Sequence, residues 1–434
     1  MTHPTVVGPF AGDGTELPAM YEVRQRFDLL PAVDALAELD ASWAGGAGRL
    51  AELAPGSSVA VAVGSRGIAD IALVVREVVA RLKAAGMAPF IVPAMGSHGG
   101  ATAGGQTEVL AARGVTESSV GAPIRATMDV VSLGEADGIP LFLDRNAAAA
   151  DGIVLVNRVK PHTDFVGPIE SGLMKQLVIG LGKQTGADHY HRLGVVRGLE
   201  DTIPTAARAL LQRVNVLFGV ALVENEEHRT AALRVVPPGE IEQVEHELLE
   251  LARRHLPGLP LDDVDLLIVD EMGKDISGNG LDPNVVGKAA AAYSVPRLRP
   301  RVSRIFVRDL TADTHGNAAG LGVTDAITTR LFGKIDAAAT AMNAFTSCSP
   351  EDAKTPAVFA CDRDAIVSLL TTVRPATASD LCVVHIRNTL DLARLWVSAG
   401  CLEQLPGPPA VTIDPTPRAL VFDASGDLVS PLGG

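Results

Sequence analysis

Between Arg158 and His191 the chain gathers an unusual set of reactive side chains: Arg158, Lys160, His162, Asp164, Lys175, Lys183, His189 and His191. Lys175 is flanked by Leu173, Met174 and Leu177. Apolar surroundings disfavour an ammonium ion, so such a lysine can serve as a nucleophile. His189 and His191 are separated by one residue, a spacing open to a metal or to an acid/base pair. Taken singly, each residue also fits a snorkelling lysine or a hydrogen-bonded histidine. A second concentration is Ala94–Gly105, with five glycines in twelve residues around His98. Glycines let backbone amides approach a ligand closely. The run is neither a Walker loop nor a GxGxxG fingerprint, and its permissive backbone suits a working imidazole at His98. A third is Gly64-Ser65-Arg66-Gly67. Arg66 there is either a two-pronged grip on a carboxylate or phosphate, or a loop arginine capping local carbonyls. A fourth is the charged, glycine-rich run Asp270–Gly280, with Lys274 and Asp275; a plain turn with Asp270 or Asp275 as a helix cap is the alternative.

These residues need strands that end beside them. Ser58–Val63, Pro89–Ala94, Gly152–Val156 and Gln176–Ile179 read as short buried strands. A helix over about Ile68–Ala85 carries a stripe of Ile68, Ile71, Val75, Val79 and Leu82. A further helix leads through Leu110 to Arg113, and Ile241–His255 reads as an amphipathic surface helix. After Pro257–Pro260 the pattern restarts with strands at Val264–Val269, Ser303–Val307, Ala357–Ala360 and Leu381–Ile386. This is βαβ rhythm, so the expected fold is α/β: two domains, each a mainly parallel sheet covered by helices, with the site in an interdomain cleft. The expected boundaries are 1–258 and 259–434, and Leu420–Leu432 is left open to either domain.

The chain has 434 residues, 47% apolar and 20% charged, with a formal net charge of −14. That composition fits a folded protein of two domains and excludes disorder. The acidic balance and 4% aromatic content argue against nucleic acid. No apolar run of membrane length occurs, and no secretory leader is read at the start, so no membrane partner and a cytoplasmic location are expected. The four cysteines, Cys348, Cys361, Cys382 and Cys401, are expected as buried reduced thiols.

On Ser97–His191 above all, the sequence resembles the nickel-pincer lactate racemases and their homologues. The family carries Ser-Gly-x-x-Lys with a glycine five residues on; here that is Ser171-Gly172-Leu173-Met174-Lys175 and Gly180. The resemblance implies that Lys175 holds a pyridinium-derived nickel-pincer nucleotide as a thioamide. It implies that Gly96, Ser97, Gly99, Ser171, Gly172 and Gly180 contact that cofactor. It makes His191, sixteen residues beyond the lysine, the nickel ligand, and His98 and His162 the catalytic acid/base pair. Arg66, Lys274 and Asp275 would bind substrate. The implied reaction is racemisation or epimerisation of a 2-hydroxy acid through hydride removal and return, with cofactor-making enzymes as partners. Three departures bear on the substrate. Val63-Gly64-Ser65-Arg66 keeps the family arginine without its aspartate, His162 stands thirteen residues before Lys175, a wider gap than in the lactate enzyme, and Gly273-Lys274-Asp275-Ile276 lacks that enzyme's aromatic and glutamine residues. Two other readings stand beside it: a metal-dependent lyase or dehydratase using His189 and His191 with Asp188 or Asp164, and a non-catalytic binding protein for a small acid or nucleotide.

Overall fold

Five of the six residues of Ser58–Val63 are sealed from solvent, which requires cover on both faces of the strand. The computed structural model shows how. It describes residues 5–8, 16–27, 30–64, 68–163, 165–289 and 300–433. The chain forms two compact units, one of Leu29–Leu256 and one of Met1–Asp28 with Pro257–Gly434. The first 28 residues thus group with the second unit, not with the first as their position in the chain suggested. Leu420–Leu432 also belongs to the second unit, where Leu428 joins a core cluster and Leu420, Phe422 and Leu432 pack against it. Arg66 lies outside the described residues, as does Asp164.

In the Leu29–Leu256 unit a five-stranded sheet runs in the order Ala88–Pro93, Ser58–Val63, Gly152–Arg158, Val216–Glu224, Thr230–Val236. The first four strands are parallel, with Ser58 opposite Ala88 and Val59 opposite Gly152; the last is antiparallel. The helix Ile71–Ala84 buries Ile71, Val74, Val75, Val78, Val79 and Leu82 against it. An antiparallel hairpin, Val130–Ala136 with Ile139–Asp144, lies outside this sheet. Its turn is Asp137-Gly138, both at positive φ, the Asp-Gly signal of a tight hairpin.

The second unit holds a nine-stranded sheet. Its parallel part runs Val6–Val7, Ala357–Phe359, Ala326–Thr328, Arg301–Leu310, Asp263–Met272, Val383–Ile386. Arg394–Ser398, Met20–Gln25 and Val411–Ile413 continue it antiparallel. Both units are therefore α/β with mainly parallel sheets. Cys382 and Cys401 are joined as a disulfide, where buried thiols had been expected; Cys348 and Cys361 are half-buried. Among the described residues no helix is long and apolar enough to cross a membrane.

One expected strand is absent. Gln176–Ile179 lies in a π-helical turn, Gln176–Gly180, between the short helical turn Leu173–Lys175 and the helix Leu181–Arg197. The three apolar residues Leu177, Val178 and Ile179 are buried with Gln176, and so short a run does not distinguish strand from helix by its periodicity. Gln176 fixes the turn: its amide donates to the carbonyls of Ala62 at 3.2 Å and Val156 at 2.9 Å, on two neighbouring strands.

Candidate active site

Strands 58–63, 88–93 and 152–158 are neighbours and parallel, so their carboxyl ends share one edge. Ligands of parallel α/β sheets bind outside that edge. The segments carrying His98 and His162 follow two of these strands, Ala88–Pro93 and Gly152–Arg158. Asn157, at the end of its strand, donates to the Gly172 carbonyl at 2.8 Å. Gly64 permits this: a Cβ there would sit 2.6 Å from the Asn157 Oδ1. Arg158, part of the cationic run in the sequence, is paired with Glu224, which also accepts from the Ala69 N–H.

The decisive contact is between Lys175 Nζ and His162 Nε2, which lie within hydrogen-bonding distance. Both residues are half-buried. The loop carrying His162 is firmly held. Glu170, 1% exposed, accepts from the His162 N–H at 2.5 Å and the Gly167 N–H at 3.0 Å, and is ion-paired with Arg253. The His162 ring lies against buried Phe165, centroids 4.5 Å apart. Ser171 and Lys160 form a backbone bridge that closes the loop.

The turn that carries Lys175 is capped by a residue the sequence reading missed. Glu245 is 1% exposed and its carboxylate accepts from the Met174 N–H at 3.0 Å. Burial pushes the Glu245 carboxyl up to about 7, against the Met174 and Leu173 N–H groups, which favour its charge. Gly172 makes room for it, since a Cβ there would lie 2.4 Å from that carboxylate. The signal that could have found Glu245 is its spacing: it falls on the buried stripe of Ile241, Leu248, Leu249 and Ala252 in the helix Ile241–Arg254.

The glycine-rich loop meets the same segment. The Gly96 N–H donates to the Gly180 carbonyl at 3.1 Å. Gly96, at φ 59°, faces Ile179, and a Cβ on Gly180 would fall 2.7 Å from the Ala94 carbonyl. Gly99, at φ 66°, packs on the backbone of Gly105 and Gln106. Gly96, Gly99, Gly172 and Gly180, expected against a cofactor, thus each have protein where a side chain would be. Ser97 is half-buried, its carbonyl accepting from the Ala101 N–H, and His98 is exposed.

His189 and His191 lie on the helix Leu181–Arg197, where residues two apart point in different directions. Buried Tyr190 lies between them, its hydroxyl accepting from the Phe142 N–H at 3.2 Å; burial pushes the phenol up to about 12. His191 is half-buried, whereas His189 is exposed with its Nδ1 at 2.8 Å from the Thr185 carbonyl. The expectation that these two imidazoles act as one pair fails for this reason. Among the described residues no group of three or more His, Cys, Asp or Glu side chains could hold a metal ion.

In the second unit, Lys274 donates to the Gly278 carbonyl and Asp275 accepts from the Thr311 hydroxyl at 2.6 Å. Asp270 serves no helix cap. It accepts from Ser430 and sits 2.7 Å from the Nε2 of His385, a fully buried histidine the sequence reading did not single out, and it is paired with Arg308. Arg308 and Arg330 share Asp362, and Arg330 also pairs with Asp427. This network ties the C-terminal residues to the strand ends.

No family model matches the chain, and no curated protein matches it. Among solved structures it is similar to the lactate racemase apoprotein from Thermoanaerobacterium thermosaccharolyticum, with 15% identity and a TM-score of 0.42, over 70% of this chain and 69% of that one. A likeness that distant leaves the function to be argued from this chain's own residues.

Proposed function

We propose that this chain is an isomerase, a racemase or epimerase of a small 2-hydroxy acid, working with a nickel-pincer nucleotide joined covalently to Lys175. The observation that carries the reading is the contact between Lys175 Nζ and His162 Nε2. An amine with a base at its side is what covalent attachment requires.

The residues fit the group. The amine is half-buried at the carboxyl edge of the sheet, and imidazoles are good nickel donors. No cysteine lies between Ser97 and His191, so in this reading the sulfur ligands come with the cofactor. Lys175 would hold it, His191 would supply the protein's metal ligand, and the backbone at Gly96, Ser97, Gly99, Ser171, Gly172 and Gly180 would shape the seat. When bound, such a group supplies reversible two-electron oxidation at an alcohol carbon, which side chains cannot do.

The chain's own part is proton handling and orientation. Once Lys175 is acylated its nitrogen no longer titrates, and His162 Nε2 is left to take the hydroxyl proton of one enantiomer. His98, on the adjacent loop, does so for the other, because the two hands present their hydroxyls to opposite sides. Arg66 would orient the carboxylate, and Lys274 and Asp275 would contact the rest of the substrate. The departures at Val63 and around Lys274 favour a 2-hydroxy acid other than lactate. The lyase alternative loses its support with the divergence of His189 and His191. Cofactor-making enzymes are the partners this reading needs, and a cytoplasmic setting suits it.

The test is the fate of a deuterium label at C2 of the substrate. Retention of most of the label in the inverted product is expected. Complete exchange with solvent at every turnover contradicts the reading. His98→Ala and His162→Ala are each expected to lower turnover by about 10²–10⁴-fold.

A further inference from the structure

A buried polar knot joins the glycine-rich loop to the helix beyond Lys175. Lys183 has a side chain 0% exposed and interrupts the helix Leu181–Arg197 at φ 56°, ψ −158°. A non-glycine residue rarely holds that backbone unless its surroundings impose it. Its three ammonium donors have three neighbours: the Pro93 carbonyl at the end of strand 88–93, the Gln106 Oε1 at 3.1 Å and the Asp144 carboxylate at 3.1 Å. Gln106, itself 0% exposed, passes the link on, its amide donating to the carbonyls of Gly96 at 2.8 Å and His98 at 3.3 Å. Burial lowers the pKa of Lys183 and raises that of Asp144, with each partner's charge opposing the shift. Lys183 lies eight residues after Lys175 and eight before His191, so its kink falls midway along the chain between them.

We propose that Lys183, fixed by Asp144 and acting through Gln106, is a positioning residue that sets the His98 loop against the segment bearing Lys175 and His191. This rests on the reading of those three residues as one site, but its test needs neither cofactor nor turnover. The full chain is compared as wild type, Lys183→Met and Gln106→Leu, by amide hydrogen exchange and by NMR with ¹³Cε1-labelled histidine. Exchange over residues 94–100 is expected to rise at least tenfold in both variants, with strand 216–224 unchanged. The His98 resonance is expected to move while that of His228 stays. Should Lys183→Met fail to fold, Gln106→Leu, which leaves the ion pair in place, decides by the same readings. An unmoved His98 resonance, unchanged exchange over 94–100, or an equal rise in strand 216–224 would overturn the proposal. An absent adduct on Lys175 would overturn the functional reading while leaving this result standing.

Discussion

Glu245 is a carboxyl held where its charge is unfavourable, and that has a measurable consequence. Its folded-state pKa is about 7 against an ordinary 4.5. Between those values the folded protein retains a proton that the unfolded chain has released. Stability therefore falls as pH rises from about 4.5 to about 7 and is flat above, by about 3 kcal/mol in all. Urea unfolding at pH 5 and pH 8 reads this difference, and Glu245→Gln is expected to remove most of it. An equal slope in the variant would show that Glu245 is not its source. Reactive residues were legible in the sequence because type and clustering mark them: His162 and Lys175 were singled out, and the structure brings them into contact. Gln106 and His385 were not, because their roles arise from what tertiary packing buries around them; Glu245 was missed although it stands on the apolar stripe of its helix. Lys183 was noticed for its charge, which is wholly enclosed by its partners.

Elements were legible wherever the chain has one dominant period. Ser58–Val63 and the helix Ile71–Ala84 follow from strand-like and helical apolar patterns. The 176–179 run was misread because a short stretch buried all round has no face to reveal its period. The Asp137-Gly138 hairpin carried a readable turn signal that the larger βαβ pattern obscured. Glycines divide along the same line between packing and propensity. Gly180→Ala places a Cβ 2.7 Å from the Ala94 carbonyl and is expected to cost about 1–3 kcal/mol. Gly104→Ala, in the helix Ala103–Ala111 with nothing within 4 Å of the new Cβ, is expected to stabilise by about 0.5–1 kcal/mol. Thermal unfolding of the two variants separates these expectations; equal effects would contradict the close approach of loop and helix.

At the scale of the molecule, the α/β class followed from the order of strands and helices, while the grouping of Met20–Gln25 with the second unit did not. A short strand states its own conformation but not its partners, here Arg394–Ser398 and Val411–Ile413. The second unit also has its own acid response. Burial alone would push Asp270 up, but the bond and charge of His385 and the charge of Arg308 bring it down to about 2. Its contribution, about 2 kcal/mol, is present above pH 3.8, the ordinary value, and is lost as pH falls through about 2. Asp270→Asn is expected to flatten acid unfolding in that window; an unchanged curve would contradict the network. The whole account turns on Lys175, and intact-mass and metal analysis of the protein, produced together with enzymes that make the cofactor, examines it most directly. The account requires a nucleotide-sized adduct carrying nickel that disappears in Lys175→Ala. A chain of unmodified mass, or an adduct that survives that substitution, contradicts it.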